Sequence, residues 1–395
     1  MEEDQKVVRI GSRKSELAMI QTNLVVESLQ KIHPDIEFKI VTMETIGDRI
    51  QDKPLSSIGE SNLFTKELEK ALALNEVDMI VHSLKDMPTR LPTDMAIGAI
   101  SEREDPHDAL VLHKKHTGVS IETLPEGSVI GTSSVRRVAQ LKRKFPHLVF
   151  KRCCILSLHR LLRAVEAIKI QYAKDSQILC QVGKHKHPIY MAVRGNLNTR
   201  LRKLDEDKVY DGLILAVAGL LRMGWEHRIS QILSPEICKY SVSQGALGVE
   251  IKTRNRHMQQ VLSSLNHPQT LLRCVAERAL LKTLEGGCSA PVAVHTDVND
   301  GELMLTAAVL SLDGSELREE KMTVKLPQDL TQEHSFDSES NAESQLYSSV
   351  VAPRISQHAM QEAEALGIRL AKALFDKGAG PILQAAKDEI AERRK

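Results

Sequence analysis

The stretch "VDMIVHSLKDMP", residues 77–88, decides the fold class. Val77, Met79, Ile80 and Val81 make a short apolar run of strand type, and Pro88, which has no N–H to give to a ladder, ends it. Upstream, "FTKELEKALAL" (64–74) has helical spacing, while "FKIVTME" (38–44) and "VVRIG" (7–11) read as strands. Between those two strands a helix is predicted to run to about Lys31, capped by Ser12 or Ser15, with Leu17, Ile20, Leu24 and Val25 on one face. Strand–helix alternation of this kind predicts an α/β unit whose sites lie at the carboxyl ends of its strands.

The pattern resumes at "SVIGTSSVRRVAQLKRKF" (128–145), a strand, a polar turn and a helix, and then at "YDGLILAVAG" (210–219) and "YSVSQGALGVEIK" (240–252), both read as strands. From Pro268 the character changes. "PQTLLRCVAERALLKTLEGG" (268–287) is a helix stopped by Gly286 and Gly287. Three strand-like runs follow, "PVAVHTDV" (291–298), "ELMLTAAVLSL" (302–312) and "REEKMTVKL" (318–326), joined at "NDG" and "LDGS" turns. Residues 327–349 are polar and acidic and are predicted to form a mobile loop, and helices at about 359–375 and 381–393 close the chain. The expectation is two α/β units and a C-terminal α+β domain.

Composition narrows the function. The chain has 395 residues, 42% apolar and 27% charged, with a formal net charge of +1, which argues against a protein that coats nucleic acid. Aromatics at 3% leave no platform for stacking bases. "MEEDQKVVRIGSRKSE" has neither a basic leader nor an apolar core, and no apolar run approaches the roughly 18 residues of a membrane span. Six cysteines without framework spacing suit a reducing compartment, so the expected home is the cytosol. Walker and HEXXH patterns are missing, and no metal is expected.

Four polar turns carry the candidate chemistry. "HSLKDMP" (82–88) gathers a histidine, a serine, a lysine and an aspartate where a strand ends; a solvated turn is the plainer reading. "GTSSVRR" (131–137) offers hydroxyls, helix N-terminal amides and two arginines, or simply a serine cap followed by exposed arginines. "GSRKSELA" (11–18) and "RGNLNTRLRK" (194–203) repeat the theme. Together they suggest a cleft for a ligand bearing several carboxylates or phosphates. In "LEGGCSAPVAVH" (284–295), Cys288 follows two glycines; a buried structural thiol and a modified or reactive one both remain open.

These segments, with "ETIGD", "GESNLFTKELEKAL", "REDPHDA", "AVAGLLRMGW" and "QGALGVE", closely resemble the porphobilinogen deaminase family, the hydroxymethylbilane synthases of haem biosynthesis. The resemblance covers nearly the whole chain outside residues 152–192. It implies two α/β domains like those of periplasmic binding proteins around a cleft, with domain 1 at 1–101 and 246–263, domain 2 at 107–239, and an α+β domain 3 at 268–395. It implies a transferase that condenses four porphobilinogens, releasing ammonia, onto a covalent dipyrromethane, one per chain, held by Cys288 through a thioether. By the same resemblance Asp86 is catalytic. Lys85, Ser83, Ser133, Ser134, Arg136, Arg137, Arg194, Arg200, Gln244 and Gly245 contact the cofactor, and Arg13, Ser15 and Gln21 the substrate. A monomer without nucleic-acid or membrane partners is expected.

The sequence departs from the family between Lys151 and Arg194, where about forty extra residues intervene. Three readings apply: an extra coding segment from alternative splicing, a lineage insertion, or a metal site from Cys153, Cys154, Cys180, His185 and His187. Leu158, Leu161, Leu162, Val165 and Ile168 suggest the apolar face of a short helix within it. Either "LVFK" or "IYMAV" is able to fill the strand before Arg194. If "LVFK" does, Arg194 and Arg200 are expected to lose register, leaving an impaired form that at most binds polycarboxylates. Deleting residues 152–191 is then expected to raise the rate of bilane formation, and equal rates in the two forms would overturn that reading.

Overall fold

The computed structural model describes residues 7–45, 65–151, 196–207, 209–284, 291–333 and 345–392. Val7–Arg13 (β1), Glu37–Met43 (β2), Met79–Ser83 (β3) and Met95–Ile100 (β4) share a five-stranded sheet with Leu247–Lys252 (β10), in the order β2-β1-β3-β10-β4. β1 lies parallel to β2 and β3, whereas β10 is antiparallel to β3 and β4. A second sheet repeats the plan with Asp108–Leu112 (β5), Val129–Gly131 (β6), Val149–Lys151 (β7), Gly212–Ala216 (β8) and Gln231–Leu233 (β9), in the order β7-β6-β8-β5-β9. Here β6 is parallel to β7 and β8, and β5 antiparallel to β8 and β9. In both sheets the antiparallel strand is the first one laid down after the chain crosses from the other sheet. Strands covered on both faces read as unbroken apolar runs, as "MAIGAI" of β4 does with every residue buried.

Helices flank the sheets: Glu16–Ile32 (α1), Lys66–Ala73 (α2), Val135–Lys144 (α3), Leu197–Glu206 (α4), Val217–Arg222 (α5) and Arg256–Leu262 (α6). The third unit packs Pro268–Thr283 (α7), Gln357–Asp376 (α8) and Ala379–Glu392 (α9) against an antiparallel sheet of Val292–Asn299 (β11), Glu302–Leu310 (β12) and Leu317–Lys325 (β13). α7 is buried almost all round, so its sequence shows little amphipathic contrast. Gly367 of α8 lets the backbones touch, since a Cβ there would sit 2.2 Å from the Ala276 carbonyl oxygen of α7. Two α/β units and an α+β unit are thus present, as expected.

Several details differ from the sequence reading. The buried face of α1 is Gln21, Thr22, Val25 and Leu29, and Leu24 is exposed. Two polar residues turn inward because each has a partner: Thr22 Oγ1 donates to Ser12 Oγ at 2.7 Å, and Gln21 Nε2 to Ser83 Oγ at 2.9 Å. "YDGLILAVAG" breaks after Ala216, where α5 begins. "YSVSQGALGVEIK" is a strand only from Leu247, because Ser243 and Gly245 adopt positive φ, +61° and +90°. The strand beside β6 is built from "VFK", pairing Val149 with Val129 and Lys151 with Gly131, so the "LVFK" alternative is the one observed. α4, which carries Arg200, nonetheless docks, with Leu201 and Leu204 buried and Asn198 Nδ2 donating to Glu16 Oε2 of α1 at 2.7 Å. Of the acidic run, Tyr347 and Ser348 are buried, and residues 334–344 lie outside the described ones. The proposed metal ligands and the short helix at 158–168 also lie outside them.

The three units meet at one buried ion pair. Arg103, in the first crossing segment, donates Nη1 to Glu277 Oε1 at 2.7 Å and Nη2 to Glu277 Oε2 at 3.1 Å, and both side chains are nearly inaccessible. Glu277 of α7 also accepts from Ser243 N in the second crossing segment and from Thr296 Oγ1 of β11, each at 2.6 Å. Against the cost of burial, the Arg103 charge and these bonds hold the carboxyl below its usual range. Substituting Arg103→Met strands a buried carboxylate, so a loss of about 3–5 kcal/mol in urea unfolding is expected. A loss below about 1 kcal/mol would show that other groups neutralise Glu277.

Candidate functional site

Three corresponding turns bring the sequence-predicted residues together at strand ends. β3 ends at Ser83, and the following turn, Leu84–Asp86, is anchored by Leu84, which is fully buried. Its burial, with that of Met87, fixes the two residues between them: Lys85 is half-buried and Asp86 exposed. Gln21 and Ser83 bond to each other in both directions, 2.9 and 3.0 Å, joining α1 to the end of β3. Arg13 ends β1 and is half-buried; Ser15 takes the N-cap position of α1 without a side-chain capping bond. In the second unit Ser133 is exposed, and Ser134 caps α3 by accepting from Arg137 N at 3.4 Å. Arg200 lies half-buried in the first turn of α4. Arg194 and Cys288 lie outside the described residues.

Arg136 and Arg137 are buried rather than exposed, and their common partner is a residue to which the sequence reading gave no role. Asp108, the first residue of β5, is fully buried between them, 2.9 Å from Arg136 Nη2 and 2.6 Å from Arg137 Nη2. Burial would raise its pKa, but the two guanidinium charges with bonds from Arg137 and Gln244 hold it well below the usual carboxylate range. The signal in the sequence was "REDPHDA", where an acid opens an apolar strand. Arg136 Nη1 also donates to the Lys239 carbonyl, and Arg137 Nη1 to the Ile214 carbonyl at 2.8 Å.

Gln244 links the two units. Its Nε2 donates to Asp108 Oδ1 at 2.8 Å and to the Pro106 carbonyl at 2.7 Å, and its Oε1 faces Lys85 Nζ at 3.5 Å. Gly245 is placed by sterics: at φ +90° a Cβ would stand 2.2 Å from the Glu104 carbonyl oxygen of the other crossing segment. Arg222 Nη2 donates to the Gly245 carbonyl at 2.6 Å. Burial lowers the Lys85 pKa to about 8; Asp86 and Asp108 raise it, whereas Arg137 and Arg136 lower it further.

Three cations thus surround two carboxylates, leaving a net positive cluster suited to an anionic ligand. Leu284, the last described residue before Cys288, shares a core cluster with Leu84 and Met87, and Arg278 of α7 donates to the Pro88 carbonyl at 2.7 Å. A thiol-borne group with several carboxylates fits this donor set. A groove of about 820 Å³ edged by His113, Lys114, His227 and Arg228 contains none of these residues. Among the described residues no cluster of histidine, cysteine, aspartate or glutamate suits a metal ion, and no helix is long and apolar enough to cross a membrane.

Two α/β units thus meet at a cationic cluster, with an exposed aspartate at a strand end of the first, an arrangement suited to an anionic ligand. Residues 8–161 and 176–260 match the dipyrromethane cofactor-binding domain of porphobilinogen deaminase, and residues 271–335 match that enzyme's C-terminal domain. A porphobilinogen deaminase of Nostoc is 43% identical over 98% of this chain and 96% of the relative. Those of Synechococcus elongatus and Prochlorococcus marinus are 46% identical over 80% and 86%, and 41% over 95% and 96%, of chain and relative. The periplasmic aliphatic sulphonate binding protein SsuA of Escherichia coli superposes with a TM-score of 0.29 at 10% identity over 71% of each chain, too faint a likeness to bear on fold or ligand. The chain belongs to the porphobilinogen deaminase family, transferases of tetrapyrrole biosynthesis also called hydroxymethylbilane synthases, which carry a dipyrromethane cofactor.

If Lys85 binds a substrate carboxylate it works only while charged, and kcat/KM for porphobilinogen is then expected to fall as pH rises through about 8. A profile unchanged to about pH 10, the ordinary range of a lysine, would remove Lys85 from substrate binding.

Proposed function

We propose that the cleft between the two α/β units is where this chain condenses porphobilinogen, with Asp86 as the catalytic residue. The carrying observation is the place of Asp86: exposed at the end of β3, next to Lys85, which Gln244 connects to the arginines of the second unit. Cys288 would hold the dipyrromethane, whose free pyrrole carbon would supply the nucleophile for the first ring, each later ring joining the end of the growing chain. Asp86, an anion in a cationic cluster, stabilises positive charge at the substrate's pyrrole nitrogen as the C–N bond of the aminomethyl group breaks and its nitrogen leaves as ammonia, the methylene carbon staying on the ring as the electrophile. It then takes the proton released when the new carbon–carbon bond restores the ring. Lys85, Arg13, Arg136, Arg137, Arg194 and Arg200 hold the ring carboxylates, Ser15, Ser83, Ser133, Ser134 and Gln21 bond the acetate and propionate oxygens, and Gln244, whose Nε2 is given to Asp108 and the Pro106 carbonyl, serves the site by holding Lys85. Gly245 keeps the crossing segment close to the cleft.

The domain boundaries follow from the same reading: domain 1 over 1–101 and 246–263, domain 2 over 107–239, domain 3 over 268–395. Porphobilinogen is the substrate, and the chain works as a cytosolic monomer without nucleic-acid or membrane partners.

Intact mass with fragment mapping tests the centre of the proposal. A two-pyrrole adduct on the Cys288 peptide is expected, absent in Cys288→Ser. Asp86→Asn is expected to keep the adduct and lose turnover by about 10²–10⁴-fold. An unmodified thiol after supply of porphobilinogen or preformed bilane would leave only a polycarboxylate-binding clamshell.

A further inference from the structure

We propose that Asp108 is a positioning residue for this reaction: one buried carboxylate holds Arg136 and Arg137 of the second unit and, through Gln244, fixes Lys85 of the first. The inference rests on the cleft assignment above and deepens it. Asp108 never meets the ligand; its side chain is wholly enclosed. Oδ1 accepts from Arg137 Nη2 at 2.6 Å and Gln244 Nε2 at 2.8 Å, and Oδ2 from Arg136 Nη2 at 2.9 Å, with Cys238 Sγ at 3.6 Å. Its backbone is pinned on both sides, opposite Ala216 of β8 and Leu233 of β9, so the carboxylate cannot swing away.

Three physical requirements meet in this one side chain. Arg136 and Arg137 are consecutive on α3, and consecutive helical side chains point about 100° apart. Without a shared acceptor, two like charges would diverge toward separate solvent contacts. Second, a carboxylate only accepts hydrogen bonds, whereas an amide both donates and accepts. Asp108 therefore forces the amide of Gln244 into the orientation that turns Nε2 inward and leaves Oε1 toward Lys85. With a neutral amide at position 108, that orientation of Gln244 is left to the Pro106 carbonyl at 2.7 Å and the His107 carbonyl at 3.4 Å, and its hold on Lys85 is weakened. Third, Asp108 lies on the segment that has just crossed between the units, and Gln244 lies on the return crossing. The spacing between the cations of the two units is set at the hinge itself rather than by the substrate.

The groups facing Lys85 are Asp86 from its own turn, Arg136 and Arg137 from α3, and Asp108 from β5. Removing the Asp108 charge therefore makes Lys85 lose its proton at lower pH. The test pairs Asp108→Asn with Gln244→Met, which keeps the charges and cuts only the link. The Lys85 side chain is followed by NMR of the reductively ¹³C-methylated protein, assigned by the signal missing in Lys85→Arg. For Asp108→Asn, kcat/KM is expected to fall about tenfold or more, and the Lys85 midpoint to move down by about half a pH unit or more. For Gln244→Met, KM is expected to rise several-fold while the midpoint stays near 8. Losses that merely track a lower folded fraction, with the Lys85 signal unmoved in Asp108→Asn, would overturn the proposal. So would an unchanged KM in Gln244→Met, which decides alone should Asp108→Asn not fold. If the parent chain consumes no porphobilinogen, the cleft assignment fails, while the Lys85 titration still judges Asp108.

Discussion

Glu277 is the acceptor on which the relative placement of the three units depends. Its two oxygens are reached by donors at positions 103, 243 and 296, one from each crossing segment and one from the third unit's sheet. A carboxylate buried this deeply is costly unless every lone pair is used and a counter-charge is close. Here both conditions are met only when the two crossings and β11 arrive together. Tyr240 strengthens the same junction: Arg103 stacks over its ring at 4.8 Å, and its hydroxyl accepts from Thr296 N at 2.7 Å. The hinge between the α/β units is for this reason clamped to the third unit rather than left as a free linker.

The second buried acid, Asp108, uses the same physics for another end. Glu277 collects donors to fix domains, and Asp108 collects them to fix chemistry. The two are bridged by a single residue, since the Gln244 side chain reaches Asp108 while its carbonyl accepts from Arg103 Nε at 2.7 Å. The like topology of the sheets explains why the chemistry gathers here. The β1–α1 and β6–α3 turns occupy equivalent places in the two units, and each has a serine at the helix cap position. Only Ser134 is committed to capping its own helix.

Much of this was legible in the residues, and what was missed has identifiable causes. The parallel strands announced themselves because each is a short apolar run followed by a polar turn. Within the two α/β sheets the antiparallel strands are harder to read: "DALVL" opens on an acid, and β10 is shorter than "YSVSQGALGVEIK" suggests, because nothing in the string marks where a chain crosses between sheets. Positive φ at Ser243 was invisible, being imposed by the bond from its amide to Glu277 rather than by local preference. The inward face of α1 was misjudged, since periodicity follows apolar residues and cannot see that Gln21 and Thr22 have partners far along the chain. At the site, the four polar turns were recognised singly, but their organiser, Asp108, was passed over. A buried acid is identified by its neighbours, and those come from residues 136, 137 and 244.

The exchange of strands between the sheets also dictates the order in which the molecule can assemble. Among the described strands β4 pairs in a ladder with β10, with one isolated bridge from Ile97 to Val350 besides, so the first sheet lacks its penultimate strand until roughly 150 further residues have been synthesised. The amino-terminal unit is therefore not a folding unit during translation; β1, β2 and β3 must wait, with β3 offering an open edge, for a strand that follows the whole second unit. Folding is obligatorily non-local and correspondingly slow. Lengthening the intervening chain by about forty residues adds only a few tenths of a kcal/mol to the entropy of closing that loop. An expansion after β7 thus leaves the equilibrium nearly untouched and acts instead on the interval during which an unpaired edge is exposed.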